Sequence, residues 1–330
     1  MSYGRNAASV RTALLPAIAL ALAACEGPQS TLDPQGPVAE RIATTWWVMA
    51  IGALVVLVVV MALLFHAIWS GPAGRPRWRA NVLLSVAGIA VPSLLLGALL
   101  VFGTGVGRSI TQPDAGALRI EVIGHRWWWE VRYPRADGSA LLTANELWLP
   151  TGVPVEVVVT SADVIHSFWI PRLAGKMDMV PGSLNALRLL ATEPGQMRMQ
   201  CAEFCGAQHA HMGMRVSVVT PPQFEAWLQQ RSQPAVDLPQ AAVSRFLALG
   251  CGECHRIDGS EAGGTSAPVL THFASRPSIG GAAAAMDGVH LRRWLPDHGA
   301  AMKPGSRGPV MRQLAPADVE QLARLLEALH

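Results

Sequence analysis

The chain has 330 residues, of which 51% are hydrophobic. Its formal net charge of +3 arises in the first 108 residues, which hold 7 basic and 3 acidic residues, whereas residues 109–330 hold 19 basic and 20 acidic residues. The sequence has no basic stripe of the kind that a phosphate-binding protein needs, so its charge gives no support for a nucleic-acid partner.

The N-terminus has the pattern of an export signal. Arg5 and Arg11 precede an apolar run that ends at Ala24, and Cys25 follows the sequence Leu-Ala-Ala. A charged region, an apolar region and small residues at a cleavage site are the parts of a secretory signal. The pattern resembles a bacterial lipoprotein signal, which predicts removal of residues 1–24 and lipidation of Cys25. An ordinary signal peptide cleaved nearby is the alternative.

Two long apolar segments follow. Ala43–Phe65 carries no formal charge over 23 residues, and Ala80–Gly107 carries none over 28. A helix needs about 20 apolar residues to cross the hydrocarbon core of a bilayer, so both segments are predicted membrane spans. The connector at 70–80 contains three arginines and no acid, which places it in the cytoplasm and the rest of the chain outside. Pro92 is expected to bend the second span.

The region from Leu118 to Val219 has short apolar runs broken by Pro and Gly. The clearest runs are Leu118–Val131, Val153–Thr160, Leu184–Ala191 and Gly213–Val219. This pattern predicts a β-sandwich or barrel of about 100 residues. A short helix is predicted at Gln223–Gln230, and beyond a linker rich in Pro, Gln and Ser the pattern becomes helical. The later predicted helices are Ala241–Leu249, Val289–Leu295 and Ala317–Leu329.

A twelve-residue stretch contains four soft or borderline metal donors, Cys201, Cys205, His209 and Met212. Zinc would take the cysteines and the histidine, but a thioether suits copper better than zinc. Two thiolates four residues apart can bridge a pair of copper ions while the other donors bind at the two ends. The alternative is a zinc knuckle, or two buried cysteines beside an unrelated histidine and methionine.

The pattern C-x-E-x-C-G-x-x-H-x-x-M of this stretch resembles the dinuclear copper (CuA) loop in subunit II of haem-copper cytochrome c oxidases. The segment 163–171, Asp-Val-Ile-His-Ser-Phe-Trp-Ile-Pro, is similar to the segment that supplies one further histidine in that family. The ligands that the resemblance implies are His166 and His209 as terminal imidazoles, Cys201 and Cys205 as bridging thiolates, Met212 as a weak axial thioether and the backbone carbonyl of Glu203. It also implies a Mg²⁺ site that the Glu203 carboxylate shares with subunit I, and a cupredoxin-like Greek-key domain.

The sequence Gly-His-Arg-Trp-Trp-Trp-Glu at 124–130 resembles an aromatic segment of the same family. The resemblance implies that Trp127 is the surface residue through which electrons enter from cytochrome c. Tryptophans at alternate strand positions more often pack in a core, which is our prediction for Trp129 and the alternative for Trp127. The family often has a glutamate at the start of the second span, linked to proton uptake, where this chain has Asn81.

The second chemical motif is Cys251-Gly-Glu-Cys254-His255. C-x-x-C-H is the attachment motif for c-type haem, in which both thiols bind the haem covalently and the histidine becomes the proximal iron ligand. A redox dithiol or half of a zinc site is the alternative, but the adjacent histidine and the export signal favour haem. Pro268 is expected to accept a hydrogen bond from the ring N–H of His255 and so to fix its tautomer.

The distal iron ligand is harder to predict. Haem-c domains fused to oxidase subunits usually read K-P-G-x-x-M-P-x-M, and this chain has Gly308 in place of the first methionine. Met311 is therefore the predicted distal ligand, with Met302 as its first rival. Met286 and His298 remain open.

The likeness covers most of residues 40–330. It implies a membrane-anchored multidomain fold with a two-helix transmembrane hairpin, an all-β cupredoxin-like domain and an all-α class I cytochrome c domain. The domain boundaries we predict are a signal peptide at 1–24, an exterior segment at 25–42, the hairpin at 43–107 with spans at about 43–67 and 81–104, the CuA domain at 108–231, a linker at 232–240 and the cytochrome c domain at 241–330.

The function that the resemblance implies is electron entry into a respiratory cytochrome c oxidase. Electrons would pass from cytochrome c to haem c, then to CuA, then to subunit I, which reduces O₂ to water coupled to proton translocation. The implied partners are subunits I and III, and the implied location is a bacterial inner membrane with both redox domains on the periplasmic face. The alternatives are a subunit of a copper-containing nitric oxide reductase and a lipid-anchored electron carrier without an oxidase partner.

Overall fold

The structure, a computed structural model, describes residues 27–69, 80–110, 116–305 and 314–330. The chain divides into two compact units, of which one is Val38–Pro113 and the other combines Met1–Pro37 with Asp114–His330. Several predictions fall outside the described residues: the signal peptide, the lipidated Cys25, the arginine-rich connector, the side chain of Asn81, and Gly308 with Met311.

The first unit is built from two helical stretches. Helix α1 is Pro37–Trp69; α2 is Ala80–Ser85, and α3 is Val91–Ile110. Their apolar side chains are almost all exposed, and both stretches are long and apolar enough to cross a membrane, as the sequence predicts. The guanidinium of Arg41 donates a hydrogen bond of 3.0 Å to the backbone carbonyl of Ser109, which joins the start of α1 to the end of α3.

An irregular turn lies immediately before Pro92. A π-helical turn spans Val86–Ala90, and the backbone N–H of Val91 donates to the carbonyl of Val86. Proline has no backbone N–H to give, and its ring crowds the preceding turn. A π-helical turn is one of the known causes of a bend in a helix. Here it lies immediately before Pro92, where the sequence predicts a bend in the second span.

The second unit begins with a β-sandwich of the cupredoxin-like type. Its ten strands are β1 (Leu118–His125), β2 (Trp128–Pro134), β3 (Ala140–Ala144), β4 (Glu146–Pro150), β5 (Val155–Ser161), β6 (His166–Phe168), β7 (Met177–Met179), β8 (Asn185–Leu189), β9 (Gly195–Gln200) and β10 (Gly213–Val219). One sheet has the order β3-β2-β1-β5-β8 and another the order β4-β10-β9, while β6 and β7 form a separate ribbon. The β1–β5 and β4–β10 pairs are parallel and join strands distant in sequence.

The core of the sandwich is formed by residues at alternate positions along its strands. In β1, every second residue from Ile120 onward is buried on one face, as expected for a strand with period two. Trp129 is fully buried, so the predicted packing role of that residue is confirmed. The predicted run Leu118–Val131 is two strands, because the chain turns at Arg126 and Trp127 and pairs β1 with β2 as a hairpin.

Helix α4 (Pro221–Arg231) follows the sandwich. It begins two residues before the predicted start, because proline is well suited to the first helical turn and Thr220 forms a capping box with Gln223. Its Trp227 stacks on Trp148 of the sandwich with ring centroids 5.1 Å apart.

The remainder of the second unit is a small helical domain. Its helices are α5 (Gln240–Ala248), α6 (Gly288–Trp294) and α7 (Pro316–Glu327), and a short ribbon joins β11 (Ser278–Ile279) to β12 (Ala284–Ala285). The predicted apolar face of α7 is buried in the domain core, together with side chains of α5 and α6. The predicted helices are therefore confirmed, with ends within two residues of those observed.

Candidate metal centres

The candidate copper loop connects two paired strands. It leaves β9 at Cys201 and enters β10 after Met212, and the backbone N–H of Cys201 donates to the carbonyl of Met212 at 3.0 Å. Gly213 and Gln200 lie opposite each other in the register of the two strands. The paired strands therefore hold both ends of the loop, which limits how far its backbone can move.

The donor atoms of the predicted ligands converge. The two sulfur atoms of Cys201 and Cys205 are 3.8 Å apart. Nδ1 of His166 lies 4.0 Å from the Cys201 sulfur, whereas Nδ1 of His209 and the Met212 sulfur lie 3.6 and 3.7 Å from the Cys205 sulfur. Each cysteine thus has an imidazole at its own end, and the thioether is on the Cys205 side.

His166 comes to this point from another part of the sandwich. It begins the short strand β6, opposite Met179 of β7, and its side chain is fully buried. The backbone carbonyl of Glu203 also faces the site, 3.3 Å from the Cys201 sulfur. The structure therefore brings together all six residues that the sequence singled out for copper.

The chemistry of this donor set fits copper. A sulfur pair 3.8 Å apart is far beyond the about 2.05 Å of a disulfide bond. A metal ion about 2.3 Å from each of these two sulfurs would have a S–metal–S angle of about 110°, close to tetrahedral. Thiolate, imidazole and thioether donors together select copper over harder cations.

The protonation of the two thiols also indicates a cation site. A hydrogen bond between the two thiol groups stabilises one of them as the thiolate and lowers the pKa of Cys201 below its usual range. That same hydrogen bond, together with burial, raises the pKa of Cys205 well above its usual range. A second negative charge so close to the first is unfavourable unless a cation lies between them, and thiolates are the form that binds metals.

Asp163 orients His166. Its carboxylate accepts from Nε2 of His166 at 2.8 Å and from the backbone N–H groups of Val164 and Arg126, both at 2.7 Å. Burial raises the pKa of Asp163, but these hydrogen bonds outweigh burial and lower it below its ordinary value. With Nε2 engaged, Nδ1 faces the cysteines, as in metal sites where a carboxylate fixes the histidine tautomer.

Two glycines leave room for the residues around the loop. A Cβ on Gly124 would lie 2.8 Å from Cδ2 of His166, and a Cβ on Gly206 would lie 2.9 Å from the Trp127 ring. Gly206 also has a φ of +112°, a conformation that side chains other than hydrogen rarely adopt. Both positions therefore require glycine for the observed packing.

Trp127 does not lie on the surface, contrary to our expectation. Its side chain is only 7% exposed, because it packs between the copper loop and the helical domain. The indole N–H donates to the carbonyl of Cys205 at 2.9 Å. Nζ of Lys303, in the helical domain, donates to the backbone carbonyl of Trp127 and to that of Gly280, the latter at 2.8 Å.

Further contacts join the copper loop to the helical domain. The side-chain amide of Gln208 donates to the carbonyl of Pro304 at 2.5 Å, and the backbone N–H of Ala282 donates to the carbonyl of His211 at 3.3 Å. Nδ1 of His211 lies 2.7 Å from the side-chain oxygen of Gln208. The Lys-Pro-Gly segment and the turn at 280–282 thus contact the copper loop directly.

The haem-attachment motif follows helix α5. Cys251 begins a short 3-10 turn, and the backbone N–H of His255 donates to its carbonyl at 2.9 Å. Nδ1 of His255 lies 2.7 Å from the carbonyl of Pro268, so the predicted contact is confirmed. Burial lowers the pKa of His255, and the neutral ring donating through Nδ1 leaves Nε2 free to bind a metal.

Polar groups beside His255 fit a haem. Arg276 is buried, and among the described residues its Nε has no hydrogen-bond partner. Burial lowers the pKa of Arg276 to about 10. The Glu146 carboxylate of the sandwich acts electrostatically on Arg276, and the carboxylate groups of a haem would supply a further anion. The rings of His255 and His298 are close, with centroids 6.4 Å apart.

Sequence reasoning missed the residues that support the ligands. Asp163 stands in the segment that supplies His166, and Lys303 in the Lys-Pro-Gly segment, but the sequence assigns neither residue a role. The contacts of Lys303 join positions 176 residues apart, so no local pattern could reveal them. The only sequence signal for a role of Lys303 was its position in a Lys-Pro-Gly segment, in a domain with no other lysine.

Comparisons with known proteins agree with the two domains. A family model of the cytochrome c oxidase subunit II periplasmic domain matches residues 118–219, and a cytochrome c model matches residues 240–330. These families imply copper in the first region and haem in the second.

Similar proteins cover different parts of the chain. Cytochrome c oxidase subunit 2 of Alkalihalophilus pseudofirmus is 29% identical over 94% of this chain and 94% of its own length. The subunit 2 of Branchiostoma floridae is 33% identical over 46% of this chain and 69% of its own. The crystal structure of the periplasmic domain of subunit II of the Bradyrhizobium japonicum oxidase is 32% identical, with a TM-score of 0.34, over 36% of this chain and 96% of that one.

Proposed function

This chain belongs to the cytochrome c oxidase subunit II family, and from that premise we propose that it is the electron-entry subunit of a membrane-bound cytochrome c oxidase. In this proposal residues 108–231 hold a CuA centre and residues 241–330 hold a haem c. Electrons from an external cytochrome c reach the haem, then the copper pair, then a haem in subunit I, where oxygen is reduced to water coupled to proton translocation. One observation carries the proposal. Two thiols, two imidazoles and a thioether converge, and neighbouring donor atoms lie 3.6 to 4.0 Å apart.

Bound copper supplies a one-electron redox couple, and this chain supplies a rigid ligand set for it. Cys201 and Cys205 would bridge the two ions, with His166 and His209 as terminal ligands. Met212 would be the weak axial donor, as fits a thioether. The loop is closed by the β9–β10 ladder and the ring of His166 is held by a carboxylate, so the donors cannot rearrange freely when the charge of the metals changes.

Contacts between the domains support the step from haem to copper. Lys303 reaches the backbone of Trp127, and Trp127 reaches the carbonyl of Cys205. These hydrogen bonds make a short connection from the haem domain to a proposed copper ligand. The haem domain contacts Trp127 through Lys303, and Trp127 is buried. An external cytochrome c would therefore deliver electrons to the haem and not directly to this tryptophan.

The two apolar helices support membrane anchoring of this chain. The segment before α1 packs on the sandwich, since the N–H of Thr192 donates to the carbonyl of Gln35 at 3.0 Å. This contact supports placing both ends of the hairpin on the periplasmic side of a bacterial inner membrane. The Glu203 carboxylate is 45% exposed and lies 3.6 Å from Lys176, which leaves it accessible for a Mg²⁺ shared with subunit I. Subunit III completes the proposed complex.

The proposal is tested on the complete oxidase purified from membranes. We expect Cys205→Ser to abolish oxygen consumption driven by reduced cytochrome c, while the haem of this chain is still reduced at the normal rate. Leu189→Met is the control, because Leu189 is fully buried in the same domain, on β8, and is not among the proposed ligands. A Cys205→Ser complex that consumes oxygen at the unmodified rate would contradict the proposal.

A further inference from the structure

The strongest unexplained feature of the helical domain is the position of His298 relative to His255. Their ring centroids are 6.4 Å apart, and the ring planes are inclined by 41°. An imidazole nitrogen binds a metal at about 2.0 Å and lies about 1.1 Å from its ring centre, so two imidazoles on opposite sides of one metal have centroids about 6 Å apart. The observed centroid spacing of 6.4 Å matches the spacing of two imidazoles on opposite sides of one metal ion.

The ring of His255 has a hydrogen-bond partner at Nδ1, whereas the ring of His298 has none there among the described residues. Nδ1 of His255 is engaged by the carbonyl of Pro268, so Nε2 remains for iron. Nδ1 of His298 is buried and has no partner among the described residues. An unsatisfied buried polar group is unfavourable, and an imidazole that binds iron regains a partner for one nitrogen.

The backbone around His298 holds the ring in place at some conformational cost. His298 has a φ of +54°, in the left-handed region, directly after the 3-10 turn Leu295–Asp297. A non-glycine residue in this region is unfavourable and persists where its surroundings require it. Here the N–H of Gly299 donates to the carbonyl of Trp294 at 2.7 Å. A Cβ on Gly299 would lie 2.5 Å from the Trp294 ring, so packing fixes the turn.

From this geometry we infer that His298 is the distal ligand of the haem iron, opposite His255. The inference rests on the proposed haem at Cys251 and Cys254. It differs from our prediction of Met311, which came from the usual motif and lies outside the described residues. A histidine in the sixth position changes the properties of the haem, since methionine ligation raises the reduction potential of c-type cytochromes. The haem of this chain therefore has a lower potential than a histidine–methionine haem would have, which favours electron flow towards copper.

The test uses the full chain, matured with haem and purified in detergent. Haem staining first establishes covalent attachment. Absorption and low-temperature EPR spectra of the oxidised protein then identify the axial ligands, because a methionine sulfur on ferric haem gives a charge-transfer band that two histidines do not give. We expect no sulfur band and a low-spin spectrum typical of two imidazoles.

Variants distinguish the candidates. We expect His298→Ala to convert the haem to a high-spin form whose reduced state binds carbon monoxide, and His298→Met to produce the sulfur band and a more positive potential. Met311→Leu, Met302→Leu and Met286→Leu should leave the spectrum and the potential unchanged. His290→Ala is the matched control, because His290 is exposed and paired with Asp287 in the same domain.

Two results would overturn the inference. A sulfur band in the unmodified chain that Met311→Leu or Met302→Leu removes would make that methionine the ligand and leave the proposed function intact. A chain that carries no covalent haem under conditions in which another c-type cytochrome is matured would remove both the inference and the proposed haem centre.

Discussion

Lys303 donates a hydrogen bond from Nζ to the backbone carbonyl of Trp127, and so one lysine of the helical domain is fixed on the residue that covers the copper loop. The lysine is only 3% exposed, and burial lowers its pKa to about 8. A buried charged donor of this kind is kept only where acceptors are aimed at it. Here these include the carbonyls of Trp127 and Gly280.

Replacing Lys303 should loosen the contact between the two redox domains. Hydrogen bonds to charged groups contribute about 1.5–3 kcal/mol, which corresponds to an about 10- to 150-fold lower ratio of docked to undocked domains. We expect Lys303→Met to slow electron equilibration between haem and copper by a factor of this order, measured after flash reduction of the haem. Arg324→Met, which removes an exposed cation from the same domain, should leave the rate unchanged. Equal rates in the two variants would show that Lys303 does not hold the domains together.

Asp163 should control copper affinity without binding the metal. Carboxylates that orient a ligating histidine typically change metal affinity by about 10- to 100-fold when they are replaced. We therefore expect Asp163→Asn to lower copper affinity by about this factor, measured by competition with a chelator. Asp137→Asn, in an exposed turn, is the control and should bind copper normally. Unchanged affinity in Asp163→Asn would exclude an orienting role for this carboxylate.

Gly124 should be intolerant of even a methyl group. An alanine Cβ there would lie 2.8 Å from Cδ2 of His166 and 3.1 Å from its Cγ, so the imidazole must move. We expect Gly124→Ala to reduce bound copper at equal protein concentration and to destabilise the sandwich by about 1–3 kcal/mol, as overpacking does. Gly195→Ala is the control, since a Cβ there meets nothing within 4 Å. Full copper loading of Gly124→Ala would mean that the strand can shift to accept the methyl group.

The helical domain should lose stability in acid through Glu320. Hydrogen bonds from Arg292 and Arg324 lower the pKa of Glu320 from 4.5 to about 2. Because the folded-state pKa is depressed, the stabilisation is present above pH 4.5 and is lost as the pH falls towards 2. Glu320 is on α7 and Arg292 on α6, so protonation weakens the contact between these helices.

The Glu320→Gln variant tests this account. Its midpoint of thermal unfolding, followed by haem absorption, should be lower than that of the unmodified chain at pH 7, and the difference should shrink towards pH 2. Glu261→Gln replaces an exposed acid of the same domain and should show neither effect. A difference between Glu320→Gln and the unmodified chain that is the same at every pH would contradict the ionic explanation.

The metal-ligand loops could be predicted from the sequence because their information is local. Cys201, Cys205, His209 and Met212 lie within twelve residues, and the haem motif within five. The long apolar helices and the amphipathic α7 are also local patterns, repeated over enough residues to be unambiguous. His166 is distant in sequence, and it was identified only through the likeness of its segment to the oxidase family.

The contacts between domains could not be predicted. Whether Trp127 is exposed depends on a domain that begins more than a hundred residues later, and alternating tryptophans are compatible with either a core or a surface position. Strands of three residues, such as β6 and β7, are too short for any periodicity to be visible. The proximity of the His255 and His298 rings depends on how the domain folds, and the sequence left His298 open beside the methionines.

The central claim is that the copper loop holds a pair of metal ions that share one electron, beside a haem in the same chain. Low-temperature EPR of the full-length protein, loaded with copper and matured with haem, with metal analysis of the same sample, tests it most directly. We predict two copper ions and one haem per chain, and a copper hyperfine pattern from an electron shared equally by two nuclei. A mononuclear copper spectrum, or one zinc ion in the loop, would contradict the account.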